Sequence, residues 1–96
     1  MKISFVIPAY NEEQHLPQCL AAIGRELART PCDAEVIVVN NASTDRTGEI
    51  ARGYAWVHVV DEPHKGLVRA RHAGFMASSG ELIANIDSDT MLPEGW

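Results

Sequence analysis

Four apolar, strand-like runs alternate with amphipathic stretches along the whole chain, and this predicts an α/β fold: a parallel sheet with helices on both faces. Three observations carry that expectation. The runs Ile3–Ile7, Glu35–Asn40, Trp56–Val60 and Glu81–Asp87 are each separated by a helical pattern, as right-handed strand–helix–strand units require. The connections are short, with no repeat, low-complexity tract or linker between elements. The second run, "EVIVVN", is continuously β-branched, which fits a strand covered on both sides. Doubly wound sheets of this kind predict the strand order 3-2-1-4.

Each element has its own local reasons. Ile3-Ser4-Phe5-Val6-Ile7 reads as the first strand, with Pro8 ending it because proline has no N–H for the ladder. In "AYNEEQHLP", Asn11 is an expected helix N-cap, with Glu12 and Glu13 at the positive end and Gln14 placed for a capping-box return. Pro17 clashes inside a helix but suits its first position, so a turn over 11–15 precedes a helix starting near Pro17. Leu16, Leu20, Ile23 and Leu27 then share one face, and Thr30-Pro31 stops the helix. After the second strand, Ser43 or Thr44 is the expected cap of a short helix carrying Thr47, Ile50, Ala51 and Tyr54 on one side. "WVHVV" is the third strand, ending at Asp61-Glu62-Pro63. Gly66 opens a third helix with Leu67, Ala70, Gly74 and Ala77 inward, and "ELIANID" is the fourth strand.

Composition narrows the function. Ninety-six residues make one small domain; hydrophobic content of 46% and charged content of 22% are those of a soluble globular chain. A formal charge of −5 argues against a nucleic-acid binder, and any phosphorylated ligand must be met by a local device. Cys19 and Cys32 make no CxxC pair, and Cys19 falls in an apolar helical pattern, so a buried thiol and a reduced cytoplasmic setting are expected. The run after Met1-Lys2 is too short for a signal segment or a membrane span. His15, His58, His64 and His72 show no zinc-type spacing.

In open α/β sheets, ligands bind outside the carboxyl ends of the strands. The segments there are "PAYNE", "NNASTD", "DEPHKG" and "DSD". Asp87 and Asp89 point the same way from an extended chain, and such a pair suits a hard divalent ion such as Mg²⁺. The competing reading is that Asp87 ends the strand and Asp89 forms an Asx-turn. Asn40 and Asn41 offer a donor and an acceptor to a base edge or a ribose, or form a turn. Tyr10 can lie flat on a base or be a structural tyrosine. Lys65 and Arg69 stand near a helix N-terminus where an anion is favoured, or form a solvated basic face.

Taken together, "FVIPAYNEEQHLPQCL", "EVIVVNNASTDRT" and "HKGLVRARHAGFMASSGELIANIDSD" resemble, in order and spacing, the nucleotide-binding half of family 2 glycosyltransferases of the Rossmann-like GT-A fold. The family shows P-x-Y-N-E, D-[DN]-x-S-x-D, N-x-G-x-x-x-A-R-N-x-G and D-x-D in that sequence. The resemblance spans residues 1–96 and implies a metal-dependent, inverting transfer of a sugar from a nucleotide-diphosphate donor, UDP- or GDP-linked, to an acceptor hydroxyl of a saccharide or lipid. It places Pro8, Tyr10 and Glu12 in the nucleotide pocket, Asn41 at the base edge, and Lys65 and Gly66 beside them. Asp87 is implied near the ribose and metal, and Asp89 as the direct ligand of Mg²⁺ or Mn²⁺. Three positions depart from the pattern: Asn40 stands for an aspartate, and His64 and His72 replace two asparagines.

The resemblance also implies that the chain is a fragment, with the acceptor site and general base in a second half. No catalytic residue is then expected within it, and an open edge strand would favour self-association. A cytoplasmic location, free or at the inner face of the membrane, goes with this. The alternative class is a nucleotide-binding module without chemistry. A phosphoacceptor domain needs an acidic pair after the first strand, where Pro8-Ala9-Tyr10-Asn11 stands. A nucleotidyltransferase needs a Gly-rich basic loop there, and a P-loop NTPase needs a G-x-x-x-x-G-K-[ST] motif that is absent.

Overall fold

The computed structural model describes residues 2–29 and 33–86. Strands β1 (Lys2–Ala9), β2 (Asp33–Asn41), β3 (Val57–Glu62) and β4 (Leu82–Asn85) alternate with helices α1 (Leu16–Arg29), α2 (Thr47–Arg52) and α3 (Leu67–Ala77). They form one sheet in the expected order β3-β2-β1-β4, with every pairing parallel.

The side-chain alternation of the two central strands divides the core in two. Phe5, Ile7, Ala9, Val36 and Val38 face α1 and α2, where Leu16, Cys19, Leu20, Ile23 and Ala51 complete one cluster. Val6, Ile37 and Val39 face α3 and pack on Ala70. This is why "EVIVV" carries no polar alternation: Val36 to Val39 are all buried, on alternating sides. Helix α3 lies against the sheet at Gly74, where a methyl group would come within 2.2 Å of Val6 Cγ1. Only a residue without a side chain permits that approach.

Several expectations are corrected. Pro8 does not end the first strand but lies within β1, paired in register with Val39. Lys2 and Val6 turn their carbonyls toward the β4 side, accepting from the amides of Glu81 and Ile86. By the same alternation Pro8's missing N–H falls on that side, where pairing has already ended at Asn85, so no ladder bond to β2 is lost. The first helix begins one residue earlier than expected, at Leu16, and the third strand runs Val57–Glu62 rather than from Trp56. Leu67 is not inward: it is 50% exposed, and Ala70 and Gly74 are the residues α3 buries. Thr30, Pro31 and Cys32 lie outside the described residues, as do Asp87 and Asp89. Cys19 is buried as expected, and the four histidines are exposed.

Candidate functional site

The loops at the carboxyl ends of β1 and β2 are one hydrogen-bonded unit. Asn11, in a left-handed conformation (φ 52°), does not cap α1. Its Oδ1 accepts from the Thr44 amide at 2.8 Å, and its own amide donates to Ser43 Oγ at 3.0 Å. The Glu12 amide donates to Thr47 Oγ1 at 2.9 Å, and the Glu13 amide to Asp45 Oδ2 at 3.3 Å. Asp45 Oδ1 in turn accepts from the amide of Thr47 at 2.9 Å and from its hydroxyl. Ser43 and Thr44 are therefore not helix caps. The residue before α2 is Arg46, with no capping side chain, and the polar groups thought to cap helices instead join two loops.

Thr47 has no exposed surface, so this joint is dry enough to matter. Burial pushes the Asp45 carboxyl up, but donation from the Thr47 hydroxyl and amide and from the Glu13 amide more than offsets it. The group is held below its ordinary value. Asp45 and Thr47 hold the two loops together, a part that reading the sequence does not single out. The available signal was the shared loop-to-loop logic of "YNEE" and "STDRT", each holding more small polar side chains than one helix start can use.

The second and third strand ends are joined by Asn41. Its Nδ2 donates to the carbonyls of Glu62 (3.2 Å) and His64 (2.8 Å), and its Oδ1 accepts from the Gly66 amide (2.9 Å). Asn41 is 4% exposed. Gly66 opens α3 at φ 150°, a conformation that L side chains rarely adopt. The same loop carries Lys65, whose Nζ sits 4.2 Å from the centroid of the Tyr10 ring. Within the loop, the His64 amide donates to Glu62 Oε2 at 2.9 Å and holds that carboxyl below its ordinary value.

Of the residues the sequence nominated, Tyr10 and Lys65 meet directly, and Asn41 and Gly66 meet directly. Pro8 is half-buried at the end of β1. Glu12 is bound into the loop through its amide, while its carboxylate lies 3.0 Å from His15 Nδ1. Asn40 faces the opposite side of the sheet from Asn41. Its Nδ2 donates to Asp61 Oδ1 at 3.1 Å, Asp61 also pairs with Arg52, and its own Oδ1 is buried without a partner. Arg69 is exposed on α3, on the other face of the sheet from this cluster.

Asp87 and Asp89, the expected metal ligands, lie outside the described residues. Strand β4 ends at Asn85, and the Ile86 amide donates to Val6 O at 2.9 Å, two residues before Pro8. Among the described residues no group of three His, Cys, Asp or Glu side chains is placed to hold an ion.

A four-stranded parallel sheet in this order, with its polar loops gathered at the carboxyl edge, defines a Rossmann-like α/β domain of GT-A type. The chain belongs to a specific family: the profile of "Glycosyl transferase family 2" matches residues 4–96. It is 35% identical over 91 residues to the uncharacterized glycosyltransferase EpsJ of Bacillus subtilis, covering 91% of this chain and 26% of EpsJ. Among solved structures, the mannosyltransferase PcManGT of Pyrobaculum calidifontis, in complex with GDP-Man and Mn²⁺, superposes with a TM-score of 0.85 at 28% identity, covering 95% of this chain and 28% of that one. S. aureus TarS 1-349 in complex with UDP-GlcNAc gives 0.79 at 29% identity, covering 93% of this chain and 27% of that one. The chain thus spans well under half the length of the relatives it matches.

Proposed function

We propose that this chain carries the donor side of a glycosyltransferase that moves a sugar from a nucleotide-diphosphate donor, UDP- or GDP-linked, to an acceptor hydroxyl on a saccharide or lipid. The observation that supports it most is the joining of the loops after β1, β2 and β3 around the Tyr10–Lys65 pair, in a chain of family 2. In this reading Tyr10 offers its ring to the base, and Pro8 and the Glu12 loop form the adjoining wall. Asn41, Lys65 and Gly66 complete the nucleotide side, with the Lys65 ammonium available to the diphosphate.

Asp87 and Asp89 would hold Mg²⁺ or Mn²⁺. That assignment is supported by their i, i+2 spacing and by the Mn²⁺ in PcManGT, a structural neighbour. When bound, the ion supplies Lewis-acid stabilisation of the departing diphosphate. Transfer is proposed to be an inverting displacement, and an acceptor hydroxyl near neutral pH needs a positioned base, a group typically worth about 10²–10⁴-fold. Four of the described carboxylates at the carboxyl edge have other work: Glu12 meets His15, Asp45 receives Thr47 and the Glu13 amide, Asp61 receives Asn40 and Arg52, and Glu62 receives His64. We therefore assign the base to sequence outside these 96 residues. The same observation favours a second reading for the 96 residues taken alone, a nucleotide-binding module without turnover.

A cytoplasmic setting, free or against the inner face of the membrane, is part of the proposal. Among the described residues no helix is long and apolar enough to cross a membrane.

The test is calorimetry with UDP and GDP, with and without EDTA, together with a radiolabelled-sugar transfer assay on the 96 residues and on a chain of the relatives' length. Binding should weaken with EDTA and be lost in Asp89→Ala, and only the longer chain should transfer sugar. Equal affinity with and without metal would remove the metal assignment. Transfer by the 96 residues above a buffer-plus-metal control would place the base within them.

A further inference from the structure

We propose that Asn41 is a positioning residue, which sets nucleotide affinity by fixing the 62–66 loop under Lys65 and does not itself read the base. The inference rests on the donor-site reading above and deepens it. An asparagine side chain has two N–H donors and one carbonyl acceptor. In Asn41 both kinds of group are already engaged, by the carbonyls of Glu62 and His64 and by the Gly66 amide. To turn toward a base edge it would have to abandon backbone groups at a position only 4% exposed. Leaving buried groups unpaired offsets the gain of a new hydrogen bond.

What the three bonds accomplish is local. Pro63, His64 and Lys65 lie between β3 and α3, with neither ladder nor helix bonds to hold them. Gly66 closes the segment at φ 150° with no atom within 4 Å of where a Cβ would stand. Two hydrogen bonds hold this hinge: its carbonyl accepts from the Ala70 amide at 2.9 Å on the helix side, and its amide donates to Asn41 Oδ1 on the sheet side. With both ends held, the loop delivers the Lys65 ammonium to the Tyr10 ring at 4.2 Å, a favourable cation–π distance. On a chain of net charge −5, a cation tethered beside an aromatic platform is a sequence-independent attractor for any nucleoside diphosphate. The consequence is a clean division: loss of Asn41 should weaken all nucleotides alike.

The experiment is calorimetry of the full chain with UDP, GDP and ADP in magnesium-containing buffer, on the wild type, Asn41→Ala, Lys65→Met and the double variant. Asn41→Ala should bind all three on the order of tenfold more weakly, with their ratio unchanged. In the Lys65→Met background the same substitution should cost less than about twofold, because its effect passes through Lys65. Gly66→Ala, whose added methyl meets open space but strains the hinge, should reproduce the base-independent loss, and it carries the comparison where Asn41→Ala does not fold by circular dichroism. A changed UDP:GDP:ADP ratio would make Asn41 a base reader and overturn the proposal, as would losses that simply add in the double variant. Failure of the wild type to bind any of the three is a different result, and it would remove the donor-site reading itself.

Discussion

The two ends of the sheet are built with the same chemistry and put it to different ends. At the amino end, Glu35 Oε2 accepts from Ser4 Oγ, from the Ser79 amide and from Ser79 Oγ, and Ser4 Oγ accepts from the Gly80 amide at 2.8 Å. Lys2 adds its charge nearby and donates to Ser79 Oγ. At the carboxyl end, Asp45 gathers Thr47 and Glu13 in the same fashion. The amino-end clasp ties β1, β2 and the entry to β4 together. The carboxyl-end joint holds two loops so that Tyr10 stays 39% exposed with Lys65 above it. A carboxylate with several donors is a stabilising device wherever it occurs. It becomes a positioning device only where the backbone it holds carries a side chain that projects outward.

This comparison breaks most visibly on stability. Glu35→Ala removes the acceptor of the wholly buried Ser4 hydroxyl and of two Ser79 donors, and we expect it to cost about 2 kcal/mol in urea unfolding. Nucleotide affinity, measured on the fraction that stays folded, should be unchanged. A drop in affinity of the folded protein would mean that the amino end communicates with the site, and the division drawn between the two ends would fail.

A smaller loss of stability, about 1 kcal/mol, is expected from Asp45→Asn, because the amide keeps an acceptor for the Thr47 amide and loses only charge and one donor match. Here the affinity should move as well, by several-fold for UDP and GDP together, since the Tyr10–Glu13 loop is released. Stability and binding changing in the same proportion as in Glu35→Ala would erase the distinction.

How much of this was readable in the chain depends on whether the signal was periodic or relational. The parallel order, the two-sided burial of Val36–Val39 and the inward Gly74 all follow from spacing along one segment, and they stand in the structure as expected. Pro8 was misplaced because its effect depends on which side of β1 its missing N–H faces, a fact that belongs to the sheet and not to the strand. Capping is the local use of Asn11, Ser43 and Thr44, and along the chain it predicts helix starts. Their actual partners lie some thirty residues away, as in Thr44 to Asn11. Leu67 follows the helical period and is nonetheless half exposed, while Ala70 in the same turn packs on Val6 and Val39. Local periodicity placed the polar loops at one edge of the sheet; which polar group binds which across those loops needed the fold.

The finest separation of the two ends is in their response to acid. Both carboxyls titrate below their ordinary values of 4.5 for Glu35 and 3.8 for Asp45. At Glu35 the first cause is the Ser4 hydroxyl, followed by the Ser79 amide. At Asp45 burial acts in the opposite direction and the Thr47 and Glu13 donors outweigh it. For a group depressed by folding, the unfolded chain takes up its proton first as the pH falls, so stability is fully present above the unfolded value and is lost as the pH drops through the folded one. Urea midpoints followed from about pH 6 down to about pH 3 should therefore fall, with the onset at higher pH for the Glu35 contribution than for that of Asp45. Glu35→Gln should flatten the upper part of that decline and Asp45→Asn the lower part. Saturating nucleotide should leave the Glu35 part of the curve unaltered, because the proposed donor site lies at the opposite, carboxyl end of the sheet. Superimposable acid limbs in the wild type and Glu35→Gln would show that the clasp holds its carboxylate no more tightly than the unfolded chain does, and the amino end would lose its claim to be the stabilising one.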